Sequence, residues 1–265
     1  MSSRDNEVSF EAGSFRSTDA AERGAWLSRL VEQINHGFFA VVRGVVSPDA
    51  EETRSAQEEA RDFMSAPTHA YPWSIDGSRV LLRALSPALG QSCRHLFAAT
   101  EKARELFGAL AWACLTRAER SRVEAGHLAG VAHAVIQTNE SWQVHHGLHN
   151  DSRRGKAQMP LIASFLLAQG RSAGRLRLWP SGQPGASAVE MTVGDLCLQR
   201  DCMELQPGRL FYPLTHGTEP ATQPTGAERI VAVLRFGIVP VSTVQAMSAA
   251  GGDLMDHYLT VLTRA

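Results

Sequence analysis

"PGRLFYPLTHGTEPATQPTGAERIVAVLRF", residues 207–236, contains two runs of strand composition separated by a stretch rich in Pro, Thr and Gly. In the second run, residues of one parity share a face of the strand: Arg229, Val231, Val233 and Arg235 lie on one side, Ile230, Ala232, Leu234 and Phe236 on the other. Both faces are largely apolar, as expected of a strand covered on both sides. A guanidinium in such a strand cannot shed its proton, and burying it unpaired costs on the order of several kcal/mol. Arg229 is therefore expected to meet a carboxylate in bidentate fashion, and a dicarboxylate ligand would satisfy it. Arg235 stands six residues further on the same face, roughly 20 Å away along an extended strand. That is too far to share one small ligand, so a structural salt bridge is expected for Arg235.

Working outward, strand composition recurs in "AVIQTNESW", "MPLIASFLLAQG", "AGRLRLWP" and "SAVEMTVGDLCLQ", with turns of Gly, Pro and Ser between them. Many short strands so punctuated predict a jelly roll or barrel over 126–242. The first 125 residues read mainly as helix. Asp19 can cap a helix with the stripe Trp26, Leu27, Leu30, Val31 and Ile34, ended by Gly37. An early strand, "FFAVVRGVV", follows; then come a charged helix opened by Ser47-Pro48, a helix over about 94–115, and a further helix boxed by Thr116 and Glu119. Residues 68–93 are expected to be irregular and to border a binding site, and Asp253 can cap a C-terminal helix within 243–265. The fold class is α+β, with one domain spanning 1–265.

Composition narrows the function. With 26 Lys+Arg against 27 Asp+Glu, there is no general positive field to gather nucleic acid or an anionic membrane. No apolar run approaches the roughly 20 residues that span a bilayer, and the start of the sequence carries no apolar leader, so a cytoplasmic protein is expected. The four cysteines, without CxxC spacing, are expected to be reduced thiols.

"HHGLHNDSRRG", residues 145–155, supplies the chemistry. In extended chain His149 and Asp151 point to one side and Asn150 to the other. A third ligand, His216, lies near the end of a predicted strand 67 residues on (216 minus 149). Two neutral imidazoles and a carboxylate on one face of a cation form the facial triad of non-haem Fe(II) oxygenases, which leaves coordination positions open.

This order of features, H-x-D, a distal His and then an Arg near the start of the next strand, resembles the Fe(II)/2-oxoglutarate-dependent dioxygenase superfamily. The similarity covers about 135–238 and includes a pair of core strands in "MPLIASFLLAQGRSAGRLRLW", with a glycine at the entry of the second. The opening "INHGFFAVVRGVVSPD" also resembles the entry of isopenicillin N synthase-like small-molecule oxygenases, and prolyl-hydroxylase-like members are the other comparison. The resemblance implies a double-stranded β-helix, with Fe(II) on His149, Asp151 and His216 and 2-oxoglutarate reaching Arg229. It also implies oxidation of a small-molecule substrate by molecular oxygen, by hydroxylation or desaturation, with an amino acid derivative or biosynthetic intermediate as the substrate class. Asp151 speaks against halogenation, which in the family goes with a small residue at that position.

The subgroup's serine two residues after the arginine is Val231 here, so another group must assist Arg229. Tyr212, Ser141 and Asn139 are the candidates. His146, Trp142 and Arg153, the last with Arg154 and Lys156 beside it, are candidate substrate contacts. Two alternatives are a jelly-roll binding protein, in which Arg229 would pair with Glu228 or Glu219, and a cupin-type metal enzyme that does not use 2-oxoglutarate.

Overall fold

The computed structural model describes residues 9–65, 71–75, 78–84, 92–139, 147–151, 158–206, 209–242 and 244–245, and for 71–75, 78–84, 131–133, 139 and 158–159 the backbone alone. The chain opens with β1 (Ser9–Glu11) and a 3-10 turn (Ala12–Arg16), followed by α1 (Ala20–His36), β2 (Phe39–Arg43) and α2 (Glu51–Ser65). Asp19 caps α1 by accepting the amides of Ala21 and Glu22, and Trp26, Leu30 and Ile34 form its buried stripe. Next come β3 (Tyr71–Ile75), β4 (Ser78–Ala84), α3 (Arg94–Ala113) and α4 (Arg117–Glu124). Thr116 and Glu119 close a capping box at the start of α4, because each side chain takes the other's orphan amide.

The remaining elements are strands: β5 (Leu128–Asn139), β6 (Gln158–Gln169), β7 (Leu176–Pro180), β8 (Ser187–Val189), β9 (Leu196–Gln199), β10 (Met203–Gln206), β11 (Arg209–Phe211), β12 (Leu214–Thr218) and β13 (Arg229–Pro240). "SAVEMTVGDLCLQ" is thus two strands, broken where Asp195 accepts the amide and hydroxyl of Thr192 in a turn. Part of 68–93 is not irregular, since β3 and β4 pair as an antiparallel hairpin. Pro72 hides that strand from a sequence reading, yet β3 is an edge strand, where a missing amide is tolerated. The helix expected near Asp253 lies outside the described residues.

Eight strands form the major sheet, in the order β1-β2-β9-β6-β13-β5-β4-β3, and a minor sheet runs β12-β7-β8. Four strands of the major sheet, β1 to β4, precede residue 126, so the sheet crosses the helical-to-strand boundary suggested by composition. The two faces of β13 take different partners. Ala232, Leu234 and Phe236 join Leu96, Leu106, Phe107 and Leu110 of α3 in the main core. On the opposite face of the major sheet, Val41 and Cys197 pack against Leu176, Leu178 and Leu214 of the minor sheet. Helices therefore cover one face of the major sheet and the minor sheet covers the other, as two-sided burial requires. At Gly174, the glycine entering β7, a Cβ would lie 1.7 Å from the carbonyl oxygen of Glu219, so only glycine fits.

One buried charged cluster ties α4 to the strands. Glu119 accepts from Arg200 at 2.9 Å, and neither side chain is exposed. It also accepts the amide of Glu204, and Arg200 donates to the carbonyl of Pro160. Removing one member leaves the other charged and desolvated, which typically costs about 3–5 kcal/mol. Glu119→Ala is expected to lower the unfolding free energy by about that amount, read from the shift of the urea midpoint.

Candidate functional site

The site is built where β12 meets the segment before residue 152. His149 and His216 form an antiparallel bridge, with His149 N–H donating to the His216 carbonyl and His216 N–H donating to the His149 carbonyl, both at 2.8 Å. Such a pair puts both side chains on one face, and the imidazole centroids are 4.4 Å apart. Asn150 turns the other way and donates to the main-chain oxygens of Asp201 (2.6 Å) and Leu214 (3.1 Å), which pins the segment. Asp151 then joins the histidines. Ligand atoms of His149, Asp151 and His216 lie within 4.8 Å of one another, and among the described residues no other three His, Cys, Asp or Glu gather so closely.

The geometry fixes which atoms face one another. His149 Nδ1 is 2.7 Å from the carbonyl of Gly147, so its Nε2 faces Asp151 Oδ1 at 3.3 Å. His216 Nε2 faces the same oxygen at 3.9 Å, and its Nδ1 faces Asp201 Oδ1 at 3.8 Å. Asp151 Oδ2 accepts from Arg235 Nε at 2.6 Å, while buried Oδ1 has no hydrogen-bond donor. Both imidazoles thus turn Nε2 toward the same buried carboxylate oxygen, which no amide or guanidinium among the described residues engages. A cation fits that arrangement.

Charge states follow from burial and neighbours. Burial opposes the charge of Asp151, but Arg235 and the two histidines outweigh it and hold the carboxyl well below its ordinary range. For His149, burial pushes the pKa down, while Asp151, the Gly147 carbonyl and Asp201 raise it, and the net direction is up. His216 is depressed to about 3, chiefly by burial and then by the charge of His149.

A narrow cleft runs from the triad between the two sheets. It is lined by His149, Arg235, Val233, Val231 and Arg229, with Gln137, Ile162 and Ser164 on the major sheet and Leu176, His216 and Thr218 on the minor sheet. At its far end Arg229 is 8% exposed, and no hydrogen bond or ion pair among the described residues engages its guanidinium, whose Nε is buried without a partner. Burial lowers its pKa to about 10. Glu228 is held in a bidentate pair by Arg61, and Glu219 is held by Arg175. Neither acid named as an internal partner therefore neutralises Arg229.

Arg235, expected in a salt bridge, makes it with Asp151 and lines the same cleft as Arg229. Their shared strand parity puts both on the cleft face, with Arg235 at the triad end and Arg229 at the other. Tyr212 does not line this cleft. It lines a separate surface depression with Trp179, Gln183 and Thr215, and the uncharged polar side chains described in the cleft of Arg229 are Gln137, Ser164 and Thr218. His146, Trp142, Ser141 and Arg153 lie outside the described residues, and Asn139 is described by its backbone alone. Asp201, which nothing local in the sequence marks, is the further acid beside the triad. The larger cavity, about 380 Å³ between Phe15, Leu27, Leu106 and Lys102, is lined by other residues and contains none of the triad.

No family model and no curated protein matches the sequence. Solved structures do match. A prolyl-4-hydroxylase of Pseudomonas putida superposes with a TM-score of 0.55 at 16% identity, covering 80% of this chain and 98% of its own. A prolyl hydroxylase from Trichoplax adhaerens, solved with a hypoxia inducible factor peptide fragment, gives 0.58 at 12% identity over 83% of this chain and 94% of its own. The chain has the fold of these hydroxylases. The non-heme alpha ketoglutarate dependent epimerase SnoN from nogalamycin biosynthesis shares it too, at TM-score 0.55 and 16% identity over 80% of this chain and 83% of that one.

The neutral state of His216 is testable on the metal-free protein. The unfolded chain takes up a proton near 6.5 and the folded chain does not until about 3. Stability present above 6.5 is therefore lost as pH falls through that window. Between pH 6.5 and 5 the wild type is expected to lose about 2 kcal/mol more than His216→Asn, measured by urea unfolding at each pH.

Proposed function

We propose that the protein is a non-haem Fe(II)/2-oxoglutarate-dependent oxygenase that hydroxylates or desaturates a small molecule, its two sheets forming a double-stranded β-helix. The observation that carries this reading is Arg229, a buried guanidinium that no acid among the described residues engages, placed at the end of a cleft whose other end is the triad, where no described hydrogen bond reaches Asp151 Oδ1. A metal at one end and a buried cation at the other suit a ligand that is a chelator at its head and a carboxylate at its tail. 2-Oxoglutarate has that form.

His149, Asp151 and His216 would hold Fe(II), and Arg229 would hold the distal carboxylate of 2-oxoglutarate. The bound pair supplies oxidising power, because oxygen and 2-oxoglutarate are converted to succinate and carbon dioxide as a C–H bond is oxidised. Everything else is the task of the chain. Arg235 donates to Asp151 Oδ2 and would leave Oδ1 as the oxygen available to a metal. Val231, Val233, Ile162 and Leu176 line the cleft with apolar surface that excludes water and strengthens the attraction between Arg229 and an anion. The free space among these side chains is about 20 Å³, so ligand entry must move side chains, and among the described residues the guanidinium of Arg229 has no partner to leave.

The shared fold with 2-oxoglutarate-dependent enzymes supports this reading, although fold alone does not decide chemistry. Among the described residues, no helix is long and apolar enough to cross a membrane.

Anaerobic addition of Fe(II) and 2-oxoglutarate is expected to give the visible metal-to-ligand charge-transfer band of the chelate. Asp151→Ala should abolish it. Arg229→Leu should retain iron but weaken 2-oxoglutarate by roughly 100-fold, the loss of a charge-assisted bidentate contact of about 2–3 kcal/mol. A folded wild type that binds iron without developing the band, and makes no succinate in oxygen, would instead be the cupin-type enzyme.

A further inference from the structure

Resting on the metal reading of the triad, we propose that Asp201 is a positioning residue that fixes the tautomer of His216 and the placement of Asp151. Asp201 is 1% exposed and follows β9. Its Oδ1 accepts the backbone N–H of Asp151 at 3.2 Å and stands 3.8 Å from His216 Nδ1. Its main-chain oxygen accepts from Asn150. One residue thus touches the segment 150–151 twice and faces the imidazole of the third ligand on the side away from Asp151.

The physical consequence concerns which ring nitrogen of His216 carries the proton. At 3.8 Å the carboxylate is not yet a hydrogen-bond acceptor for Nδ1, but its charge favours N–H on that nitrogen over a lone pair. Nε2, the nitrogen that faces Asp151 Oδ1, is then left with its lone pair outward. His149 reaches the same outcome by another route, through the carbonyl of Gly147 at Nδ1. The two ligating imidazoles are thus oriented by different acceptors, one a peptide carbonyl and one a buried carboxylate. Such partners of metal-bound histidines set ring orientation and raise ligand basicity. Asp195, a buried acid immediately before β9, shows the purely structural alternative. Its oxygens go to Arg43, the Gly44 amide and Thr192, all outside the triad.

Asp201→Asn keeps the side-chain shape and an oxygen for the Asp151 amide but removes the charge. With ¹⁵N-histidine labelling of the metal-free protein at mildly alkaline pH, His216 is expected as the Nδ1–H tautomer in the wild type and as Nε2–H, or a mixture, in Asp201→Asn. Co(II) titration of the same two proteins is expected to show a 10- to 100-fold weaker Kd in the variant, with an unchanged far-UV spectrum and unfolding midpoint. The Nε2–H tautomer in the wild type would overturn the proposal, and this reading needs no variant and no metal. An unchanged tautomer with a Kd within twofold would overturn it equally. If the tautomer responds as expected while wild type binds no Co(II), Asp201 still orients His216 and it is the metal reading that fails.

Discussion

The reciprocal pair of main-chain hydrogen bonds between His149 and His216 is the constraint on which the site depends. Sixty-seven positions separate the two residues (216 minus 149), and closing a loop of that length costs conformational entropy that only the packed sheets can offset. Once the bridge forms, the directions of the imidazoles are no longer free, since a directly opposed antiparallel pair projects its side chains to the same face. Asn150 adds to this from the reverse side. By donating to the main chain at both Asp201 and Leu214 it holds the bridge at two points and sets the rotation that delivers Asp151. The motif H-x-D thus works with an x that is itself a structural tie.

Electrostatically the cleft has two ends. Near the triad, charge is balanced locally, because Asp151 lies between Arg235 and the histidines. At the far end no described residue balances it, because Arg229 lies among Gln137, Ser164, Thr218 and apolar side chains, and the two glutamates nearest in sequence belong to other arginines. A folded protein keeps an uncompensated buried cation only where the rest of the structure enforces it, and such positions cluster at functional sites. Had the cleft evolved for stability alone, a leucine in place of Arg229 would fill it better, since well-packed apolar groups commonly match or exceed buried charges.

Much of this was legible in the sequence where a local rule had no competitor. The cap at Asp19, the box at Thr116 and Glu119, and the even and odd faces of β13 followed from periodicity and side-chain chemistry, and in the fold the even face of β13 meets α3 while the odd face lines the cleft. The triad was legible because parity and composition agreed at His149, Asp151 and His216. Three features were not. Pro72 masked β3, since a reading of one strand cannot know that it will be an edge. Tyr212, one of three candidates to assist Arg229, lines a different depression, with Trp179 and Thr215, and no local pattern distinguishes the two surroundings. Asp201 carries no local signal, as its role arises only from packing against two distant segments.

That packing also explains why a single aspartate can be placed with the accuracy a metal site needs. Arg200, immediately before it, is fixed by three contacts: its amide donates to the Phe38 carbonyl, and its guanidinium reaches Glu119 and the Pro160 carbonyl. Glu119 is in turn held by the capping box of α4 and by the Glu204 amide, while Arg122 of the same helix pairs with the Glu204 carboxylate. A helix start, a buried ion pair and two flanking strands therefore determine the backbone at 200, and with it the position from which Asp201 reaches the Asp151 amide. A ligand sphere is only as precise as the elements behind it, and rigid elements hold one better than a loop does. In this fold the buried charges around Arg200 are best understood as the foundation of the candidate centre rather than as a contribution to stability, since ion pairs so deeply buried are weak stabilisers but confine geometry well.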